Sequence, residues 1–391
     1  MKIHGRPEKD IKFIRTLSTY LDFFLITPWY DFSKKVPFKP TMKKCYGCIL
    51  VTAKLITYVC AVENNSLMKE YFNNTLISQK IGYTFVASTL MLHFSLTVIF
   101  SAFLNVNHWK ILFTNLENFD SRIKSSRNAK MSFSKALIYC LILQQIMFLL
   151  LSFYPLYTGT VMFKSSFWRS FNTNLSIEMC YEIAVVSLIN IISDVIKRRY
   201  KVLNTKTVEV LKGPKVIQEL ENVVECYQIL GETAATFNAI FGYQILIIVF
   251  HSGVQLTHSL NVGFVTHVVE ETSSEFAYIF NLFCVMIVMY NFLLVVLPLD
   301  SIMCEARKFM GTCYNAQRLF HIESKEFEAL IKFTNYSEHF VPEFSAAGFF
   351  RINKSLIFSL SGHVAAYYII YSCSVQSKSK CSKLILEHGT Y

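Results

Sequence analysis

The sequence predicts an all-α membrane protein of seven transmembrane helices, with a cytosolic N-terminus and an extracellular C-terminus. Extended cytosolic helices are expected to form an anchor platform. Three observations predict this. Of 391 residues, 53% are hydrophobic and only 17% charged, and the mean hydropathy is +0.36, which is too apolar for a soluble surface. The apolar residues fall in long continuous runs, without the alternation of a membrane barrel, and a bilayer core takes roughly 20 residues per helix. Lys and Arg are also unevenly spread. Of 38, 27 fall on one side of the predicted topology and seven on the other, which places the basic side in the cytosol.

Residues 1–44 read as a cytosolic N-terminal segment holding ten of those cations. They lack a secretory h-region, so the first span, near 45–62, is expected to act as its own signal anchor. Lys54 weakens that span. The next loop holds Asn64 and Asn73 in Asn-x-Ser/Thr sequons, predicted glycan acceptors on the outer side. Runs near 81–105, 133–157, 237–260 and 276–299 are the clearest spans. The run 171–196 carries Glu178, Glu182 and Asp194, and is followed by Lys197, Arg198, Arg199 and Lys201, the strongest inner-side marker. Residues 45–300 thus hold helices one to six, with a ligand pocket expected in their outer half. Residues 346–375 read as the seventh helix and 376–391 as an extracellular tail.

The inner connections are long and patterned. In 214–236, Val216, Leu220, Val223, Val224, Tyr227 and Leu230 recur at helical spacing behind Pro214. Only Gly231 separates this helix from the fifth span, so it is expected to run on into the membrane. Residues 301–345 read as cytosolic anchor helices, the second capped by Ser324, with Glu326 and Glu328 favouring its start. Such apolar stripes need partners. Either they pack into a platform, on each other or on neighbouring subunits, or they lie on the bilayer.

Several function classes recede on this pattern. The net charge of +11 is a topology signal rather than a nucleic-acid surface. A metabotropic G-protein-coupled-type seven-span receptor is the alternative to a channel, although it would have the reverse orientation. No acidic-Arg-Tyr follows the third span, and no proline follows an asparagine. A zinc hydrolase would need His-Glu-x-x-His, and a secondary transporter would show internal repeats and broken helices. No catalytic residue, metal site or cofactor is expected. The eleven cysteines, including the lone Cys45-x-x-Cys48, read as small buried hydrophobes.

The C-terminal third carries Phe344, Ala346, Ala347, Gly348, Phe350, Ile352 and Asn353. This order of an aromatic, a small pair, Gly and an aromatic-x-Ile-Asn element resembles the insect gustatory receptor family, seven-span ligand-gated ion channels related to odorant receptors. A second likeness is Phe237 to Leu246, similar to the start of that family's fifth span. The family's Thr-Tyr, five hydrophobics and Gln-Phe follow with departures: Ala366 precedes Tyr367, and Cys373 and Ser374 stand for Gln and Phe. The resemblance implies a homotetramer, or a heterotetramer with related subunits, in the plasma membrane of chemosensory neurons. Each subunit would contribute its seventh span to a central pore, opened by a small-molecule tastant and passing monovalent and divalent cations. Membrane lipids would surround it, and nucleic acid would have no part. An odorant-receptor-type subunit stays open, although the Ile352-Asn353 element leans gustatory.

Candidate site residues follow. Ala366, Tyr367, Ile370, Cys373 and Ser374 share one face of the seventh helix by steps of one, three and four. There Ile370 would block by dewetting, and Cys373 and Ser374 would offer weak polar contact. His363 shares this face and is read as a hydrogen-bonding residue between helices. Leu356, Ile357, Leu360, Val364, Tyr368 and Tyr371 would pack on other helices. The ligand pocket is expected at Tyr154, Tyr157, Glu178, Tyr181, Glu182, His251, Gln255, Tyr278 and Asn281, an aromatic and sparsely polar set. A Glu/His pairing across spans four and five would satisfy both carboxylates. It is either a ligand-binding feature or a structural bridge.

Overall fold

The structure is a computed structural model that describes residues 9–28, 30–31, 36–37, 40–63, 77–123, 139, 141–144, 146, 150, 166–213, 216–268, 275–339 and 341–388. Helix α1 (Lys9–Asp22) precedes a two-residue hairpin, β1 (Tyr30–Asp31) with β2 (Val36–Pro37). Then follow α2 (Pro40–Glu63), α3 (Ile77–Ile99), a π-helical turn (Phe100–Leu104) and α4 (Val106–Arg122). The long helices are α5 (Ser166–Leu211), α6 (Val216–Val268) and α7 (Glu275–Gln317). The chain ends with α8 (Lys325–His339), a hairpin of β3 (Ser345–Ala346) and β4 (Phe350–Arg351), and α9 (Ser355–His388). The third predicted span lies mostly outside the described residues.

Length decides where the long helices go. At 1.5 Å per residue, the 53 residues of α6 reach roughly 80 Å, more than twice a bilayer core of about 30 Å. The 46 residues of α5 and the 43 of α7 likewise exceed it. The expected amphipathic helix therefore does continue into the fifth span, and the basic connection after the fourth span is itself helix on both sides of a turn at 212–213. Among the described residues, four segments are long and apolar enough to cross a membrane: Lys80–Leu104, Ile177–Leu211, Ile217–Asn261 and Leu282–Gln317. Ser355–Ile370 is a shorter apolar helix.

The projecting halves pack on each other within one chain. Tyr227 of α6 stacks on Phe309 of α7 at 4.6 Å, and Phe333 of α8 meets Phe309 edge-on at 5.2 Å. Tyr200 of α5 completes the cluster 6.1 Å from Tyr227. Ser324 does cap α8, its hydroxyl accepting from the Phe327 amide at 3.1 Å. One turn on, Lys332 holds the Glu328 carboxyl below its ordinary pKa, chiefly by a side-chain hydrogen bond. Arg199, fully buried, pairs with Asp120 of α4 at 2.5 Å, and Arg122 of α4 pairs with Glu225 of α6. These pairs tie α4 to α5 and α6.

Helix α6 also seats the start of α9. Gly242 of α6 is one close contact: a Cβ there would stand 3.0 Å from the backbone nitrogen of Ala347. Ala347 and Gly348 turn the β3–β4 hairpin with φ of 50° and 81°. Phe344 packs edge-on against Phe237 at 5.4 Å, and the Asn238 amide donates to the Glu343 carbonyl at 2.6 Å. The two sequence stretches that carried the family resemblance therefore lie against each other. Asn353 then starts α9, accepting from the Ser355 amide at 3.0 Å, while Lys354 is tied to Asp300 of α7 at 3.3 Å.

Two expectations need correction. The seventh helix does not stop near 375 but runs to His388, because no Gly or Pro interrupts the chain before Gly389. Cys226, Cys284 and Cys313 are buried, but Cys45, Cys48, Cys304 and Cys373 are exposed free thiols. The Cys45-x-x-Cys48 pair faces outward on α2, where a small hydrophobe is compatible with surrounding lipid. Among the described residues no cluster of His, Cys, Asp and Glu could hold a metal.

Candidate functional site

The centre of the bundle holds a polar cluster in an apolar frame. Glu182 of α5 is 2% exposed, so its carboxylate must find partners inside the protein. Its two oxygens are both engaged, one by His251 Nδ1 of α6 at 2.7 Å and the other by the Asn291 amide of α7 at 3.2 Å. Three spans are thereby joined at one carboxylate. His93 of α3 lies within electrostatic reach of Glu182 and His251. It is fully buried, and neither ring nitrogen has a hydrogen-bond partner among the described residues.

Glu178, one turn away on α5, has a different partner. It pairs with Lys54 of α2 at 3.3 Å, and the Lys54 ammonium also lies 5.9 Å from the centre of the Phe94 ring. The expected Glu/His pairing thus holds for Glu182 alone. Glu178 turns toward the first span instead, and Lys54, the cation inside that span, pairs with a buried carboxylate. Tyr181 donates to the Phe24 carbonyl at 2.7 Å and packs against Phe94 at 4.6 Å. Gln255 reaches Ser259 on its own helix at 3.3 Å. Gln144 of the third span accepts from Ser187 of α5 at 2.7 Å.

The remaining predicted pocket residues are not brought into this picture. Tyr154, Tyr157 and the sequon residues Asn64 and Asn73 lie outside the described residues, as do the side chains of Tyr278 and Asn281 on α7. His93 and Lys54 are the polar residues that sequence reasoning missed here. A histidine or lysine inside an otherwise apolar span was the available signal.

On α9 the arrangement is different. Leu356, Ile357, Leu360, Val364 and Tyr368 are half-buried and form one stripe. Ala366, Ile370 and Cys373 are exposed, Ile370 at 68%. The side chain of Ser374 is outside the described set, as is that of Tyr371. Tyr367 is also exposed, but its hydroxyl lies 3.4 Å from the Asn261 amide nitrogen of α6, tying the helix back to the bundle. His363 meets the Ser359 carbonyl of its own helix at 2.7 Å, and not a neighbouring helix as expected.

A family model described as 7tm Chemosensory receptor matches residues 14–372. Among solved structures, the insect olfactory receptor OR5 from Machilis hrabei matches at 15% identity, covering 93% of this chain and 99% of that one. The TM-score is 0.69 for the receptor alone and 0.67 for its complex with eugenol. At that identity the likeness shows the fold: the all-α, seven-span architecture of an insect olfactory receptor. No curated protein sequence matches the chain significantly.

Proposed function

The chain belongs to the 7tm chemosensory receptor family, and on that premise we propose that it is a gustatory receptor acting as a ligand-gated, non-selective cation channel. A small-molecule tastant opens it. Four such subunits, alike or mixed with related ones, surround a pore in the plasma membrane of a chemosensory neuron, each with its N-terminus in the cytosol. The observation that supports the channel reading is the burial of α9. No described side chain of this apolar helix is fully buried; one stripe of it is half-buried, and Tyr367 beside that stripe reaches Asn261. Water on one side and sister helices on the other would use the remaining faces. Ile370 then closes the conduit by dewetting, and Cys373 and Ser374 lie beside it.

The tastant pocket in this reading lies in the outer half, around Tyr154, Tyr157, Glu178, Tyr181, Glu182, His251, Gln255, Tyr278 and Asn281. Glu178 and Glu182 already have partners within the chain, so their part is to hold four spans in register. His93 offers ring nitrogens with no described partner and is a group able to take a hydrogen bond from a ligand. Asn64 and Asn73 carry glycans on the outer face. The gustatory branch is preferred on the Ile352-Asn353 element and its spacing to Tyr367.

Whole-cell recording from cells expressing the full chain tests this. The expected result is an inward cation current on application of sugars, bitter compounds or other tastants, persisting with a G-protein-blocking guanine nucleotide in the pipette. A response abolished by that block, or an N-terminal epitope tag accessible on intact cells, contradicts the reading.

A further inference from the structure

A cavity elsewhere in the bundle shares no lining residue with the Glu182 cluster. It is a groove of about 660 Å³ between α3, α6 and α9, within the size range of small-molecule sites. Glycines shape it. A Cβ on Gly253 of α6 would stand 3.2 Å from Leu360 Cδ1 of α9, and a Cβ on Gly82 of α3 would overlap His258 Nδ1 at 2.6 Å. The missing side chains let three helices approach closely and leave an open trough where larger residues would fill it.

Shape and polarity restrict the occupant. The wall follows α6 from Leu246 to Asn261, roughly 22 Å of helix and most of the depth of a bilayer core. Its inner stretch is apolar. At the far end Thr257, His258 and Asn261 come together, joined by Tyr367 of α9. Among the described residues the lining contains no Asp, Glu, Lys or Arg. Asn261 is 2% exposed; its amide nitrogen reaches Tyr367, while its amide oxygen accepts no hydrogen bond among the described residues. An uncharged donor at that end would satisfy it.

We propose that this groove binds an elongated single-chain amphiphile with an uncharged hydroxyl head, such as a long-chain alcohol, its chain lying along α9 and its head at Asn261. The Asn261–Tyr367 contact is the one such a ligand would tighten or displace, so occupancy bears directly on the seventh helix. Its described lining shares no residue with the set proposed for the tastant pocket.

Photolabelling tests it without reference to current. The purified full chain in phosphatidylcholine nanodiscs is irradiated with a long-chain alcohol carrying a mid-chain diazirine and a terminal alkyne, and labelled peptides are mapped. The expected labels fall on 246–261 and 360–367 and are displaced by excess 1-dodecanol but not by excess phosphatidylcholine. Removing the head partner with Asn261→Leu is expected to weaken labelling about fivefold, the size of one neutral hydrogen bond. Val364→Trp, which fills the trough, is expected to abolish it. Labels spread over every lipid-facing helix, displacement by phosphatidylcholine equal to that by dodecanol, or groove peptides that take no label because a second copy covers them would each overturn the proposal. The wild-type displacement decides the matter even if a variant fails to fold.

Discussion

The projecting bundle and the seventh helix are built from similar apolar sequence, yet one is closed and the other open. In α7, Phe292, Val295, Val296, Leu299, Ile302 and Phe309 are all fully buried. In α9 the described side chains are at most half-buried, and Phe358 and Ile370 are 78% and 68% exposed. The bundle is held by contacts within one subunit. In the proposed channel the seventh helix would take its surroundings from lipid, water and other copies. Substitutions in the two regions should therefore differ in kind: stability in the first, conduction in the second.

The largest loss should come from Phe309→Ala, which empties the centre of the Tyr227–Phe309–Phe333 cluster. About 3–5 kcal/mol of stability is expected to go, read as a lower melting midpoint in fluorescence-detected size exclusion. Gly242→Ala comes next. Its Cβ would press on the Ala347 backbone, a contact that cannot swing away, at a cost of about 1–3 kcal/mol. Since Gly242 seats the hairpin that starts α9, this variant joins the two regions, and it should both lower the midpoint and shift the ligand dose–response. Ser324→Ala removes the cap of α8 for about 1 kcal/mol, with the current unchanged at saturating ligand. Ile370→Ala should change stability least, within about 0.5 kcal/mol, because the side chain is exposed in the chain. Its expected effect is a larger standing current without ligand. A midpoint as low as that of Phe309→Ala would mean that Ile370 is core, and the comparison would fail.

Much of the fold was legible because membrane helices announce themselves by length and apolarity. The run of Val216, Leu220, Val223, Tyr227 and Leu230 pointed to a helix entering the fifth span, and Ser324 to a helix start, since both signals are local. Elements set by distant contacts were not legible. The β3–β4 hairpin has two residues per strand, too few for a period, and depends on Gly242 more than a hundred residues earlier. At the π-helical turn Phe100–Leu104 the Ser101 carbonyl accepts from Lys43 of another helix, a contact no local pattern marks. Glu178 and Glu182 were recognisable as costly residues needing partners. Which partner each would take depends on helix rotation, and that sent one to Lys54 and the other to His251. The continuation of α9 to His388 was missed because hydropathy marks where a span leaves the membrane, not where the helix ends.

The central claim is that the exposed face of α9 is wet and lines the path of ions. Cys373 is a free, exposed thiol on that face, while Cys45, Cys48 and Cys304 are exposed elsewhere. The direct measurement is block of the ligand-evoked current by a small cationic thiol reagent applied during opening, in the wild type and in Cys373→Ser. The account predicts progressive block of the wild type and a resistant Cys373→Ser channel. Equal block of both, or none of either, would contradict it.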